Sequence, residues 1–219
     1  IEQIVYPAYQ ALIAYFTDLE PKATEEDGVW KLPDGEAYYA HCLRSHTTTD
    51  LSPAEVHQTG LQEVSRIEAE MSAILKQLGY PGDDVARSME ALGKEAAYQY
   101  PNTDDARRAC LADFQRILDE IDQRITPVFD LRPKAGLKVE RMPEFREATA
   151  PGAYYMMGSL GGGRPGVFSV NLRDMQEVQK FGMKTLAYHG GIPGHHFQLS
   201  LAMELKGVPL FRRFIPFTA

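Results

Sequence analysis

Three of the six histidines fall within one short stretch, His189-Gly190-Gly191-Ile192-Pro193-Gly194-His195-His196. Neutral imidazole is a common zinc ligand, and two of them on one helix usually grip an ion at i and i+4, where the second ring has come round by about 400° and risen one turn. Here the i+4 position is Pro193. His195, at i+6, would lie about 240° round a regular helix, and His196, at i+7, would return to the first face but roughly 10 Å along the axis. His189 and His195 can therefore meet at one metal only if Pro193-Gly194 breaks or unwinds the helix between them. The alternative is three histidines gathered on a surface or in a core without a shared ion.

The elements that must position these residues are legible from periodicity. Ser52-Pro53-Ala54-Glu55 is a capping box with proline at the first helical position, and Val56, Val64, Ile67, Met71, Ile74, Leu75 and Leu78 follow at helical steps until Gly79. A second helix is expected from Thr103, with Cys110, Leu111, Phe114, Ile117, Leu118, Ile121 and Ile125 on one face, ending before Pro127. Residues 1–19 and 35–46 also read as helix, and a short helix is expected between Tyr80-Pro81-Gly82 and Tyr100-Pro101-Asn102. From Leu137 the pattern changes to alternation, with β-prone runs at 137–142, 153–157 and 167–171. Helix is expected again from about Asp174 to His189, and after Pro193-Gly194 through Leu205 to Gly207.

The expected fold class is thus α+β, predominantly α-helical, with a helical region over 1–136 and, over 137–219, a small sheet preceding a metal-binding helix. At 219 residues with 44% hydrophobic and 24% charged side chains, the chain is large enough for a real core and is neither disordered nor collagen-like. Thirty acidic against 23 basic residues, the latter scattered, leave no electrostatic footprint for nucleic acid. No run of about eighteen apolar residues marks a membrane span, and residues 1–10 lack the blocks of a signal peptide. The compartment stays open between periplasm or exterior and cytoplasm. Cys42 and Cys110, far apart and without CxxC spacing, suggest neither a disulfide framework nor a thiolate metal site. The missing initial Met and the apolar close FRRFIPFTA point to a fragment of something longer.

The run Gly158 to Gly166 invites a phosphate-loop reading but lacks the Gly-Lys-Ser/Thr ending, so a turn between strands is preferred. Tyr154 and Tyr155 precede it on a strand, one facing the core and the other free to face a cleft. Asp34, Glu36, His41, His46 and His57 take cap, solvated-face or packing roles by default, and Phe211, Phe214 and Phe217 read as core.

The segment LAYHGGIPGHHFQ, Leu186 to Gln198, resembles the signature HExxPGHxxQ of the bacterial domain of unknown function 885 family, read as zinc metallopeptidases. Further resemblance lies in Lys31 to Leu61, in YYMMGSLGGGRPGVFSVNL at Tyr154 to Leu172, and in the closing FRRFIPFTA. The resemblance implies a zincin-like metal-binding helix in a fragment of a larger peptidase fold, one continuous catalytic domain truncated at both ends. It implies zinc as the cofactor, His189 and His195 as ligands, His196 behind them, and a third ligand, a Glu in an EGWA-type helix, after this chain ends. Arg164, with Tyr154 and Tyr155, would border the cleft and meet a peptide substrate, the guanidinium facing a carboxylate. The family's general-base Glu, which takes a proton from zinc-bound water, falls on Gly190, and losing such a base costs about 10²–10⁴-fold in rate. The expected function is a zinc-dependent peptidase whose present chain is inactive for want of that base and of the third ligand. The alternatives are a catalytically dead protein that still binds peptide or metal, and a structural helical domain with incidental histidines.

Overall fold

The computed structural model describes residues 1–160 and 163–214. The chain divides into two compact units, 1–65 and 66–219, so the change of pattern at Leu137 falls inside the second unit.

The first unit holds α1 (Val5–Leu19), α2 (Gly35–Thr47) and the start of α3 (Pro53–Gln77). The capping box ahead of α3 forms as its sequence requires: Ser52 N donates to Glu55 Oε2 at 2.8 Å, and Glu55 N donates to Ser52 Oγ at 3.3 Å. The apolar stripe of α3 is nonetheless largely exposed, with Val64, Ile67 and Ile74 near half exposure and Leu75 buried.

The second unit continues with α4 (Val85–Gly93) and α5 (Asp104–Arg124). Thr103 caps α5 by accepting from Ala106 N, while Asp104 and Asp105 sit in its positive first turn. The expected face is the buried one: Cys110, Phe114, Ile117 and Leu118 are all nearly inaccessible. Against it lies a three-stranded sheet in the order β1 (Leu137–Arg141), β3 (Gly166–Val170), β2 (Ala153–Met156). β3 runs parallel to β1 and antiparallel to β2, with Phe168 opposite Val139 on one side and Tyr155 on the other. The Phe168 ring meets Phe114 of α5 edge-on at 5.5 Å, which joins sheet and helix in one core. A short helix, α6 (Glu144–Glu147), ties the ends of β1 and β3 together: buried Glu147 receives the Arg141 guanidinium at 2.7 and 2.9 Å and the Leu172 N–H at 3.3 Å. The Arg141 bonds hold the Glu147 carboxyl below the usual carboxylate range, although burial pulls the other way.

After β3 come α7 (Met183–Gly190), α8 (His195–Glu204) and α9 (Leu210–Phe214). The helix expected from Asp174 begins nine residues later. Asp174 instead accepts from Gln176 N and caps an isolated 3₁₀ turn, Val178 is extended, and a second 3₁₀ turn at Lys180–Gly182 leads into α7. Phe211, expected in the core, is 55% exposed; Phe217, within residues 215–219 of the closing motif, lies outside the described residues. The protein is therefore a predominantly helical α+β fold, and no helix among the described residues is long and apolar enough to cross a membrane.

Candidate functional site

Residues 191–194 separate the two histidine helices and turn the chain sharply. Gly191 N still donates to Ala187 O at 2.8 Å, but Gly194 N reaches back to Tyr188 O at 2.9 Å, and His196 N donates to Gly191 O at 3.1 Å. Residue 194 lies so close to the last turn of α7 that a Cβ there would overlap the carbonyl oxygens of Tyr188 and His189. Glycine is required by that approach. The outcome is that His189, at the exposed end of α7, and His195, at the start of α8, face each other with ring centroids 4.5 Å apart and planes at 77°.

Two imidazoles bound to one tetrahedral zinc at about 2.0–2.1 Å per nitrogen would place their centroids about 5 Å apart, and the observed separation is close to that spacing. Burial, and then the neighbouring His189, push the His195 pKa down, which favours the neutral ring that binds metal. No group of three His, Cys, Asp or Glu side chains that could hold a metal occurs among the described residues.

A cavity of about 380 Å³ opens beside the pair, lined by His189, Gly190 and His195, by Tyr154 and Tyr155 of β2, and by apolar side chains of both helices. The structure thus brings both tyrosines to the histidines. Tyr155 lies roughly parallel to His195 at 6.5 Å, and its hydroxyl is 3.0 Å from His196 Nδ1. His196 is buried, and its Nε2 is 3.1 Å from the Ala135 carbonyl oxygen, which can only accept. Nε2 therefore carries the proton, burial holds the ring neutral, and Nδ1 accepts from the Tyr155 hydroxyl. Ser200 Oγ, at 3.4 Å from the same nitrogen, completes the cluster. Burial also raises the Tyr155 pKa, against the hydrogen bonds from Ser200 and the Gly158 backbone. The cluster passes over Gly166 of β3, where a Cβ would lie 2.7 Å from His196 Nδ1 and collide with the Tyr155 hydroxyl.

Gly190 is buried, and a Cβ on it would stand 2.5 Å from Cε2 of Phe168. The Phe168 ring occupies the direction in which any side chain at 190 would leave the backbone. Arg164 is not brought to this cavity; it is exposed in the turn after β2, its N–H bonded to Ser159 Oγ at 2.9 Å. His196 also lines a separate cavity of about 230 Å³ with Asp119, Asp122 and Arg132, but neither His189 nor His195 reaches it.

Sequence reasoning missed Phe168, Leu186, Gln198 and Leu199, all of which line the cavity, and Ser200 behind it. Gln198 and Leu199, three and four residues after His195, share its helix face and could have been found from that spacing. Phe168 carries no such signal, because its approach to Gly190 depends on how the sheet packs under α7.

The chain is similar to a crystal structure described as "the putative lipoprotein from Colwellia psychrerythraea", with 36% sequence identity and a TM-score of 0.95. That similarity covers 99% of this chain but 37% of the other, so the chain spans little more than a third of that protein's length. No curated protein gives a significant match. The family described as bacterial protein of unknown function (DUF885) matches over residues 1–219, and the chain belongs to that family.

Proposed function

We propose that the paired histidines are two-thirds of a zinc site and that the intact protein is a peptidase, with this chain carrying the ion and the substrate cleft but not the proton-transfer group. The observation that carries the reading is the approach of His189 and His195 to 4.5 Å across a helix break, at the mouth of a cavity. His189 and His195 would hold the ion through neutral imidazole nitrogens, and the third ligand would be the Glu that the family resemblance places after this chain. Zinc, when bound, supplies Lewis acidity and makes water a nucleophile at neutral pH. The chain's own residues set the geometry: the Gly191–Gly194 turn aims the rings, the Tyr155–His196 bond anchors β2 to α8, and exposed Gln198 offers an amide to a peptide backbone.

Gly190 and Phe168 favour a second reading alongside this one. Glycine has no proton acceptor, and the aromatic edge fills the adjoining space, so the chain as it stands suits a protein that binds peptide or metal without cleaving it. Peptide hydrolysis by the full-length zinc-loaded protein with Gly190 in place separates the two, and substitution at 190 tests the position of the base. In the full-length zinc-loaded protein, Gly190→Glu should raise peptide hydrolysis by at least about a hundredfold, and His189→Ala in that background should abolish it. Because a side chain at 190 meets Phe168, the double variant with Phe168→Leu should be assayed beside the single one. Equal hydrolysis with Gly and Glu in both backgrounds would reject Gly190 as the position of the base.

A further inference from the structure

The cavity beside the histidines has apolar walls: Ala153 of β2, Phe168 of β3, Leu186 of α7 and Leu199 of α8. Its polar groups are His189, His195 and the amide of Gln198, from the helix segments on either side of the 191–194 turn, and the phenols of Tyr154 and Tyr155 on β2, the Tyr155 hydroxyl being engaged by His196. Among its lining residues there is no Asp, Glu, Lys or Arg. A cationic side chain placed here would lose hydration with no acidic partner, whereas an aliphatic or aromatic one would bury its surface against four apolar walls. At about 380 Å³ the space also lies within the range of small-molecule pockets and is ample for one large side chain.

Gly190 contributes to this character. With no side chain there, the buried edge of Phe168 lines the cavity where a carboxylate would otherwise enter.

We propose that this cavity is a selectivity subsite that takes one apolar side chain, of leucine or phenylalanine size, from a peptide whose backbone lies across His189 and His195. The inference rests on the peptide reading above for the backbone that carries the side chain, but not on hydrolysis. Gln198, exposed at the mouth, would bond the peptide's backbone amides, while the walls choose the residue.

The test is calorimetric titration of the full-length protein, with zinc present, against blocked tripeptides Ala-X-Ala in which X is Leu, Phe, Ser or Lys. Leu and Phe should bind at least about tenfold more tightly than the other two. Ala153→Phe, which fills the cavity, should narrow that preference to within about threefold. Leu186→Glu, at a position 38% exposed and so tolerant of change, should weaken Leu and strengthen Lys, each by about fivefold. Equal affinities across the series, no binding of any peptide, or a preference that both variants leave intact would overturn the subsite. Apolar preference in the unsubstituted protein without hydrolysis by either Gly190→Glu or Gly190→Glu with Phe168→Leu would reject the peptidase reading and leave the subsite standing; hydrolysis without preference would do the reverse.

Discussion

Tyr155 serves two neighbours with two parts of one side chain: its ring packs on His195, and its hydroxyl donates to His196. The two contacts can be separated. Tyr155→Phe keeps the ring and deletes the hydroxyl, leaving buried His196 Nδ1 with Ser200 Oγ at 3.4 Å as its remaining partner. We expect a stability loss of about 1–2 kcal/mol in urea denaturation, the cost of an under-satisfied buried acceptor. Cobalt or zinc affinity should change by less than about threefold, because the ring against His195 stays. Tyr155→Ala should lose both contacts and weaken metal binding further. A large affinity loss in Tyr155→Phe would mean that the hydroxyl, not the ring, orients the metal pair. Alternation along β2 left open which tyrosine turned inward, since period two gives opposite faces but not which face the helices cover. The acceptor at His196, 41 residues on, and the glycine at 166 on the neighbouring strand decide it.

The turn at 191–194 is where a failed helix becomes a site. Proline four residues after His189 made a break legible in advance, because the ring removes a donor and clashes with the preceding turn. What periodicity does not contain is the direction in which the chain leaves the break. That direction is set by Gly194, whose Cα nestles against the Tyr188 and His189 carbonyls and whose N–H bonds Tyr188 O. Gly194→Ala should accordingly cost about 1–3 kcal/mol, as overpacking does, because backbone carbonyls rather than flexible side-chain ends must yield. It should also separate the histidine rings and weaken zinc binding by at least about tenfold, read by competition with a chromophoric chelator. Gly182→Ala is the matching control, since nothing lies within 4 Å of a Cβ there. Helices α3 and α5 were legible nearly to the residue because local caps at Ser52 and Thr103 start them. The stretch from Asp174 to Gly182 was not, because Asp174 caps a single turn whose short length no periodicity over three residues reveals.

Across the whole chain the apolar core is unevenly distributed. The buried hydrophobic side chains run from Leu75 to Met203, whereas in residues 1–65 Gly35 is the one buried residue. Tyr9, Ile13 and Phe16 of α1 each remain more than 60% exposed despite the apolar composition of that helix. Sequence pattern identifies which face of a helix is apolar, but not whether a partner packs against it. The consequence for this 219-residue chain is a gradient of local stability. Amide exchange through local opening is slow where apolar contacts and buried hydrogen bonds must break together, and fast where they are few. The amides of α5 and β3, in the Phe114–Phe168 core, should therefore exchange at least about a hundredfold more slowly than those of α1 and α2 when followed by deuterium uptake at neutral pH. The histidine helices should fall between, since Ala187 and Phe197 are buried while His189 and Gln198 are exposed. Protection of α1 equal to that of α5 would mean that its apolar residues are covered in solution, and the exposed tyrosine and phenylalanine faces would then have to be reassigned to the core.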